Sequence, residues 1–291
     1  MIHAGVALDA APCWTLDIGA SKVDTALVSA DRTIARRERC GVREAAAHLF
    51  AEIVSVLELV SSGESMTVLG VGCASPMTRG GERVSPLNIA QWRDFPVRAR
   101  LREALGIEVF VEGDARALTL AEGVFGGARR DESCLSMVVS TGIGGGLVMD
   151  GRLVDRDSGN AGHVGRLNVV PNGGTCTCGS RGCLEAEASG LAIEAVTGRG
   201  AREADVSTRR RARQLLGRAV GTLASVLDFN RCYIAVSVVL GFGDDFFARA
   251  NEAVRAVATM PYSSSFAIWP FGLGGDEPLL GAALVGWRGA S

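Results

Sequence analysis

The stretch of sequence that specifies the fold is Trp14-Thr-Leu-Asp17-Ile-Gly19-Ala-Ser-Lys22-Val-Asp-Thr-Ala-Leu-Val28. Apolar residues on both sides of a glycine turn predict two strands joined as a β-hairpin. The same design returns as Ser136-Met-Val-Val-Ser-Thr141-Gly142-Ile-Gly144-Gly145-Gly146-Leu-Val-Met149. The repeat predicts duplicated halves, each of which opens with a hairpin and continues into alternating helices and strands. We therefore expect an α/β protein whose working site is the cleft between the two halves.

The composition favours a globular protein that acts on a small molecule. A chain of 291 residues with 47% hydrophobic residues can bury one core in each half. The net charge is -2 and the basic residues are dispersed, so no surface is predicted to bind nucleic acid or an anionic membrane. Residues 1–13 lack the pattern of a signal peptide, and no apolar run reaches the ~18 to 20 residues that span a bilayer. We expect a cytoplasmic protein with no nucleic-acid partner and no membrane partner.

Hydrophobic periodicity predicts the remaining elements and a domain boundary. The predicted helices cover 43–60, 96–105, 118–124 and 207–227, the last of them capped by Ser207 or Thr208. Strand-like runs cover 66–72, 108–112, 167–170 and 232–240. We place a smaller α/β domain in 1–115, completed by a C-terminal helix over 279–291, and a larger α/β domain in 116–278.

The turns of the two hairpins have the features of phosphate-binding loops. In the first, Asp17 lies beside Gly19-Ala-Ser21-Lys22, whose backbone N–H groups can converge on an anion. This arrangement suits magnesium and phosphate, although an ordinary hairpin with an aspartate at its turn has the same pattern. In the second, glycines let the backbone approach a polyanion closely, because glycine has no Cβ. Together the turns predict an ATP and magnesium site formed by Asp17, Gly19, Ser21, Lys22, Thr141, Gly142 and Gly144.

A carboxylate follows the predicted strand at 108–112. In Glu112-Gly113-Asp114-Ala115 the strand ends and a helix begins at a carboxylate. Phosphoryl transfer requires that the attacking hydroxyl be positioned and its proton accepted, and a carboxylate at a cleft wall can do both. Asp114 is therefore a candidate general base, and it can also cap the following helix.

Three cysteines lie close together in Cys176-Thr-Cys178-Gly-Ser-Arg-Gly-Cys183-Leu-Glu185. Thiolates held at one point by glycine turns suit a tetrahedral metal such as zinc better than a packed core. The chain has three histidines, and His163 lies just upstream of the cysteines. The predicted ligands of a structural zinc are Cys176, Cys178, Cys183 and His163.

These motifs together resemble the ROK family (repressor, open reading frame, kinase), whose enzymes phosphorylate hexoses and amino sugars on an actin-like (ribonuclease H-like) two-domain ATPase fold. The segment 17–22 resembles the family's Asp-Ile-Gly-Gly-Thr-Lys, and 140–146 resembles its Gly-Thr-Gly-Ile-Gly-Gly-Gly. The segment 176–185 matches the family's cysteine signature, and 272–285 resembles its closing glycine turn and helix. The resemblance implies ATP with magnesium, a structural zinc, a small-molecule sugar as substrate, and a homodimer.

The resemblance also implies roles on the sugar side. Glu112-Gly-Asp114-Ala falls where the family has Asn-Asp-Ala, so Asp114 takes the role of the base. The segment 85–92 resembles the sugar-side segment that contains an Asn and a nearby Trp. The implied substrate-binding residues are Ser75, Asn88, Asp114, His163, Arg166 and Glu185.

The departures from the family pattern concern the metal and the sugar. The family usually has Glu and His where this chain has His163 and Arg166. A histidine in the Glu position is similar to the pattern of bacterial N-acetylmannosamine kinases, whereas an arginine carries only donors and cannot ligate zinc. Three outcomes remain for the metal: His163 becomes the fourth ligand, water or another group completes the site, or zinc is absent. Arg166 is then either a new substrate contact or an anchor for the cysteine loop.

Two functions remain open. The leading hypothesis is ATP-dependent phosphorylation of a hexose, an amino sugar or a sugar-like hydroxyl, with an N-acetylmannosamine-like or glucose-like substrate. The alternative is a catalytically inactive ROK-type sugar-binding or regulatory protein. The retained Asp17, Lys22 and Asp114 favour the kinase. The alternative is favoured by Gly113 in place of the usual Asn, by Arg166, and by Val236 in place of a glycine on the nucleotide side.

Overall fold

The computed structural model describes residues 11–42, 48–236 and 245–290. These residues divide into two compact units. Unit 1 contains the described residues of Met1–Gly126, Asp155–Ala161 and Leu273–Ser291, and unit 2 contains those of Gly127–Val154 and Gly162–Gly272. The stretch 116–126, which the sequence analysis assigns to the second domain, packs with unit 1.

Both units are mixed α/β structures. The strands are β1 (Cys13–Ile18), β2 (Lys22–Val28), β3 (Ile34–Gly41), β4 (Val68–Cys73), β5 (Glu108–Gly113), β6 (Cys134–Val139), β7 (Ile143–Met149), β8 (Arg152–Leu153), β9 (Arg231–Val236) and β10 (Ala267–Pro270). The α-helices are α1 (Leu49–Ser61), α2 (Val97–Leu105), α3 (Asp114–Phe125), α4 (Leu184–Ala188), α5 (Gly190–Thr197), α6 (Val206–Leu227), α7 (Phe246–Arg255) and α8 (Glu277–Ala290).

The two five-stranded sheets have the same strand order, which is β3-β2-β1-β4-β5 in unit 1 and β8-β7-β6-β9-β10 in unit 2. In each sheet the first three strands of the sequence pair antiparallel, and the two later strands run parallel to the first. This correspondence confirms the predicted α/β class and the predicted duplication of the hairpin. The cleft expected between the halves stays a prediction.

Alternation along β1 places its residues on two different faces of the sheet in unit 1. Trp14, Leu16 and Ile18 are buried in the core that α1 and α2 complete. On the other face α8 lies so close to the sheet that a Cβ on Gly70 would be 1.9 Å from the carbonyl oxygen of Ala282. Asp17 alternates with the core residues, so it faces the α8 side of the sheet.

A separate core fills unit 2, where the sheet packs against α6 and α7. Leu135, Met137 and Phe229 are among its most buried side chains. A Cβ on Gly217 of α6 would lie 2.4 Å from the carbonyl oxygen of Ala250 in α7. The glycine therefore lets the two helix backbones approach each other closely.

The prediction of the cap of α6 is wrong. The helix begins at Val206, one residue earlier than expected, so Ser207 and Thr208 already lie within it. Asp205 is the N-cap, and its Oδ1 accepts the backbone N–H of Thr208 at 2.8 Å. Aspartate is as good a cap as serine, and the pattern of the helix alone did not distinguish them.

The strand predicted at 167–170 is also absent from this described part of the chain. These residues are irregular, apart from a single bridge between Asn168 and Cys183. The N–H groups of Val169 and Val170 both donate hydrogen bonds to the carbonyl oxygen of Gly182, with N···O distances of 2.8 and 3.2 Å. The backbone N–H groups of this segment are therefore used to hold the cysteine loop rather than to pair with a strand of the sheet.

Some predictions concern residues outside those that the structure describes. They are the start of the predicted helix, at 43–47, and the part of the predicted strand at 232–240 that lies beyond Val236. The side chain of Val236, which was expected to crowd a nucleotide, is outside the described part as well. Among the described residues, no helix has both the length and the apolar composition needed to cross a bilayer.

A buried carboxyl group at the start of α8 makes the stability of the protein depend on pH. Burial raises the pKa of Glu277 to about 7, and the negative charges of Glu122 and Asp276 also act to raise it. A carboxyl pKa above its ordinary value means that the folded state holds a proton that the unfolded chain releases. The contribution of protonated Glu277 to the free energy of unfolding is therefore complete below about pH 4, and it is lost as the pH rises to about 7.

Replacing Glu277 by Gln is expected to remove this dependence. The neutral amide avoids the burial of a charge, so the free energy of unfolding should rise by about 1–2 kcal/mol at pH 8 and stay nearly unchanged at pH 4. Urea unfolding at both pH values measures this difference, with the exposed Glu52 replaced by Gln as the control. An equal effect of Glu277→Gln at both pH values would contradict the assignment.

Candidate active site

Two carboxylates converge in unit 1 where parallel strands end. Asp17 of β1 is paired with Gly72 of β4, and Gly72 is paired with Glu112 of β5. A Cβ on Gly72 would lie 3.3 Å from Asp17 Oδ1 and 3.7 Å from the Cα of Asp114. The glycine therefore leaves space between the two predicted functional carboxylates, at the carboxyl ends of strands where α/β sheets bind ligands.

The environment of Asp17 disfavours its charged form. The residue is 6% exposed. Burial is the main cause that raises the pKa of Asp17 to about 8, followed by the negative charge of Asp114, while Lys22 acts in the opposite direction. A buried carboxyl group next to a second one is stabilised in its charged form by a bound cation.

A second buried carboxylate lies opposite Asp17 and was missed from the sequence. Asp24 of β2 is the direct partner of Asp17 in the β1–β2 pairing and is fully buried. It accepts the Nε–H groups of Arg37 and Arg39, each at 2.9 Å, and lies 3.8 Å from Lys22 Nζ. Although burial acts against it, these arginines hold the pKa of Asp24 below its ordinary value. The alternation of Arg37 and Arg39 in β3 was the signal available in the sequence.

The turn between β1 and β2 is tight. The N–H of Gly19 donates to the carbonyl oxygen of Lys22 at 3.0 Å, and a Cβ on Gly19 would be 3.3 Å from the same oxygen. Ser21 and Lys22 are exposed at this turn, beside the buried Asp17. The predicted ligands Asp17, Gly19, Ser21 and Lys22 are thus adjacent in the structure.

Asp114 is the first residue of α3. The N-cap of α3 is Gly113, so Asp114 does not occupy the cap position expected for it. Its Oδ1 accepts the N–H of Ala115 at 2.7 Å, a backbone donor of the first helical turn. The start of the helix is held further by Arg116, which donates to both oxygens of Glu112 at 2.8 and 3.0 Å. Arg116 is 6% exposed, and it was missed although Glu112 and Arg116 have the i, i+4 spacing of an ion pair.

The predicted sugar-side residues of unit 1 lie in irregular segments. Ser75 follows the end of β4, and Asn88 is exposed in a turn. This turn is held by Arg93, whose Nη1 donates to the carbonyl oxygens of Pro86, Ile89 and Trp92 at 2.7, 2.9 and 3.0 Å. Asn88 is therefore presented on a rigid turn rather than on a loose loop.

In unit 2 the second turn, at 140–142, joins β6 to β7. It is supported by a segment that packs backbone against backbone, since a Cβ on Gly165 would be 2.2 Å from the carbonyl oxygen of Ile143. Gly162, with φ of 100°, packs on Gly145 in the same way, since a Cβ on Gly162 would be 2.6 Å from the carbonyl oxygen of Gly145. Glycine is required at these positions because the two chain segments are in contact. The predicted ligands Thr141, Gly142 and Gly144 belong to this turn and to the start of β7.

The three cysteines form one cluster, which we call the cysteine cluster (Cys176, Cys178 and Cys183). Their Sγ atoms all lie within 4.8 Å of one another, and those of Cys178 and Cys183 are 3.7 Å apart. The loop closes through the Cys176 N–H, which donates to the carbonyl oxygen of Ser180 at 2.8 Å. Among the described residues, the group of converging metal-ligand side chains contains these three cysteines and does not include His163.

Arg166 contacts the cysteine cluster. Its Nη1 donates to Cys176 Sγ at 2.9 Å and lies 2.8 Å from Glu185 Oε1. The other carboxylate oxygen of Glu185 accepts the N–H of Ile143 at 2.9 Å. Although burial would lower the pKa of Arg166, the negative charges of Glu185 and Cys176 raise it. Of the two roles left open for Arg166, these contacts favour the anchor.

The described residues thus contain a duplicated hairpin with two glycine-containing turns and, in unit 2, the cysteine cluster. The chain belongs to the ROK family, whose family model matches residues 13–285. The glucokinase of Thermotoga maritima is 35% identical over 182 residues, which cover 61% of this chain and 57% of the relative. The N-acetylmannosamine kinase of Haemophilus influenzae is 32% identical over 194 residues, which cover 64% of this chain and 62% of the relative. The chain thus spans about three fifths of the length of these curated relatives.

Solved structures confirm the predicted fold. The ROK hexokinase from Thermus thermophilus is 28% identical, with a TM-score of 0.78 over 96% of this chain and 99% of the other. The ROK family glucokinase from Streptomyces griseus, solved with glucose and AMPPNP, is 24% identical, with a TM-score of 0.83 over 95% of this chain and 99% of the other. The fold is therefore the actin-like ATPase fold of the ROK sugar kinases.

Proposed function

We propose that this protein is an ATP-dependent sugar kinase that transfers a phosphoryl group to a hydroxyl of a hexose, an amino sugar or a sugar-like compound. The observation that carries the proposal is the placement of Asp17 and Asp114 on the two sides of Gly72 in a chain of the ROK family. The relatives named above are sugar kinases, which supports the same reaction class.

Asp114 is the proposed general base. It accepts the proton of the sugar hydroxyl as the hydroxyl oxygen bonds to the γ-phosphorus of ATP and the bond from that phosphorus to the leaving oxygen of ADP breaks. The hydrogen bond from Ala115 and the ion pair of Glu112 with Arg116 support this role, because they hold the start of α3 in place.

The residues of unit 1 fit ATP with magnesium. Magnesium prefers carboxylate oxygens and phosphate oxygens as ligands, and Asp17 offers a buried carboxyl group whose charge a divalent cation would stabilise. Magnesium supplies neutralising charge at the phosphates. Gly19, Ser21 and Lys22 are proposed to hold phosphate oxygens through the first turn, and Thr141, Gly142 and Gly144 through the second.

The cysteine cluster fits a structural zinc. Three thiolates within 4.8 Å of one another are a donor set that zinc prefers. A zinc ion with three thiolates has a net charge of about -1, which the guanidinium of Arg166 at Cys176 would offset. Zinc supplies a cross-link within the loop and takes no part in phosphoryl transfer. The fourth ligand, which is His163, water or another group, stays open, and His163 lies outside the group of converging side chains.

The proposed substrate is N-acetylmannosamine-like or glucose-like. Recognition of sugar hydroxyls depends on hydrogen bonds, and losing one partner of such a bond changes selectivity strongly. Asn88, Ser75 and His163 are the proposed contacts, together with Asp114. Glu185 and Arg166 were also expected to bind the sugar, and they bind each other here.

That pairing is the observation that favours the alternative, an inactive ROK-type sugar-binding or regulatory protein. If Glu185 is held by Arg166, the pocket loses a sugar ligand and turnover can be lost with it. The retained Asp17, Lys22 and Asp114 favour the kinase more strongly. A homodimer, a cytoplasmic location and the lack of nucleic-acid binding stay predictions.

Release of ADP tests the proposal. The purified protein is incubated with ATP, magnesium and, in turn, glucose, mannose, N-acetylmannosamine, N-acetylglucosamine and a cyclitol. We expect at least one sugar to give ADP release above the background without sugar. Sugar binding without any ADP release would support the inactive alternative, and neither binding nor release would contradict the kinase for this panel.

A further inference from the structure

Arg166 joins two parts of unit 2 that have separate expected roles. A single nitrogen, Nη1, donates to Cys176 Sγ at 2.9 Å and contacts Glu185 Oε1 at 2.8 Å. The side chains are shielded from solvent, with 25% of Arg166 and 13% of Glu185 exposed. An ion pair in this setting depends on both partners, because removing one leaves a poorly solvated charge behind.

Glu185 also contacts the second turn, at 140–142, which we call the second phosphate turn after its proposed role. Its Oε2 accepts the N–H of Ile143 at 2.9 Å, while Oε1 faces Arg166. Ile143 is 4% exposed and directly follows Gly142, so its N–H is an internal contact and not a donor to a ligand. A charge-assisted bond of this kind is stronger than one between neutral groups.

The turn is held from other sides as well, so it has few ways to move. The N–H of Gly190, at the start of α5, donates to the carbonyl oxygen of Ser140 at 2.8 Å. The N–H of Leu191 donates to the carbonyl oxygen of Thr141 at 3.2 Å. The N–H of Ile143, by contrast, is held by a side chain, so the position of Glu185 decides this last contact.

We propose that Arg166 and Glu185 are positioning residues that connect the cysteine cluster to the second phosphate turn, and that this connection sets the affinity of the turn for nucleotide phosphate. The nucleotide part of this inference rests on the proposed function. The connection itself consists of contacts within unit 2 and does not depend on it. Arg166 takes the place of a metal ligand in the family pattern, yet it retains a link to the cysteines through its donors.

The decisive variant is Arg166→Ala, and Arg181→Ala is its control. Arg181 is an exposed arginine of the same cysteine loop. We expect Arg166→Ala to speed up amide hydrogen exchange at Ile143 by about tenfold, because Glu185 is no longer held against the turn. The Kd for AMPPNP should rise by about tenfold, whereas the KM for the sugar should change by about twofold or less.

Two further variants keep the test independent of folding. Glu185→Gln has the same shape and can still accept the Ile143 N–H, so it should give a smaller increase in exchange. Arg166→Lys retains the positive charge but presents one ammonium group, so it should recover part of the lost affinity. The zinc content of each variant is measured to separate loss of the connection from loss of the metal.

The outcomes distinguish this inference from the proposed function. Unchanged exchange at Ile143 in Arg166→Ala overturns the connection, and so does a rise in the sugar KM with an unchanged Kd for AMPPNP, since Arg166 would then be a sugar contact. Failure of the wild type to bind AMPPNP overturns the proposed function and the nucleotide part of the inference. The exchange experiment still decides whether the connection exists.

Discussion

Replacing Asp114 by Asn is expected to lower the rate of ADP release by about 10²–10⁴-fold while leaving the protein folded. The amide has the shape of the carboxylate and can still accept the N–H of Ala115, so the first turn of α3 keeps this hydrogen bond. It cannot take a proton from the attacking hydroxyl at neutral pH. The sugar KM should change much less than kcat, because the lost interaction belongs to the transition state.

The measurement needs a control with the same chemical change elsewhere. Asp150 is exposed in the turn between β7 and β8, where its φ is 51° and Gly151 follows. Asn-Gly suits such a turn as well as Asp-Gly does, so Asp150→Asn should leave both stability and ADP release unchanged. If Asp114→Asn retained more than about a tenth of the wild-type rate, general-base catalysis by this residue would be ruled out.

The fold class could be predicted from the sequence because the pattern of each hairpin lies within consecutive residues. The hairpins β1–β2 and β6–β7 are each contained in one short stretch, and their repeat predicts duplicated halves that each open with a hairpin. The common strand order of the two sheets was not predicted and is a finding of the structure. The strand expected at 167–170 failed for a physical reason. A segment of four residues with three apolar side chains has the same pattern in a strand and in a loop support. The acceptor of the Val169 and Val170 N–H groups, the carbonyl oxygen of Gly182, is decided by the tertiary structure.

The candidate site could be predicted only in part. Asp17 and Asp114 were found because they stand next to turns whose chemistry is readable from the sequence. Asp24 was missed because its importance comes from strand register, which places it opposite Asp17 and between two arginines of β3. Arg166 was recognised in the sequence as a departure from the family pattern. Its contacts with Cys176 and Glu185 depend on the three-dimensional structure of the cysteine loop and could not be predicted from the sequence.

Removing a ligand from the cysteine cluster should have the largest effect on stability. The loop at 176–183 has short turns and few apolar side chains, so a bound zinc would be a main source of its order. Cys178→Ser takes away the exposed member of the cluster, so the change leaves no cavity in the core. We expect the zinc to be lost and the free energy of unfolding to fall by about 3 kcal/mol, or about 10 °C in Tm.

A chelator separates loss of the metal from loss of the thiol. Treating the wild type with a strong chelator should lower its Tm by about as much as Cys178→Ser does, and the same treatment should leave the Tm of the variant unchanged, because both changes remove the same ion. Cys40→Ser, which changes a half-buried cysteine of β3 outside the cluster, should keep its zinc and its response to the chelator. A wild type that contains no zinc and is fully folded would refute the metal site. The contact of Arg166 with Cys176 would then be a main contact that holds the loop, and substitution of Arg166 rather than the chelator should be what unfolds the loop.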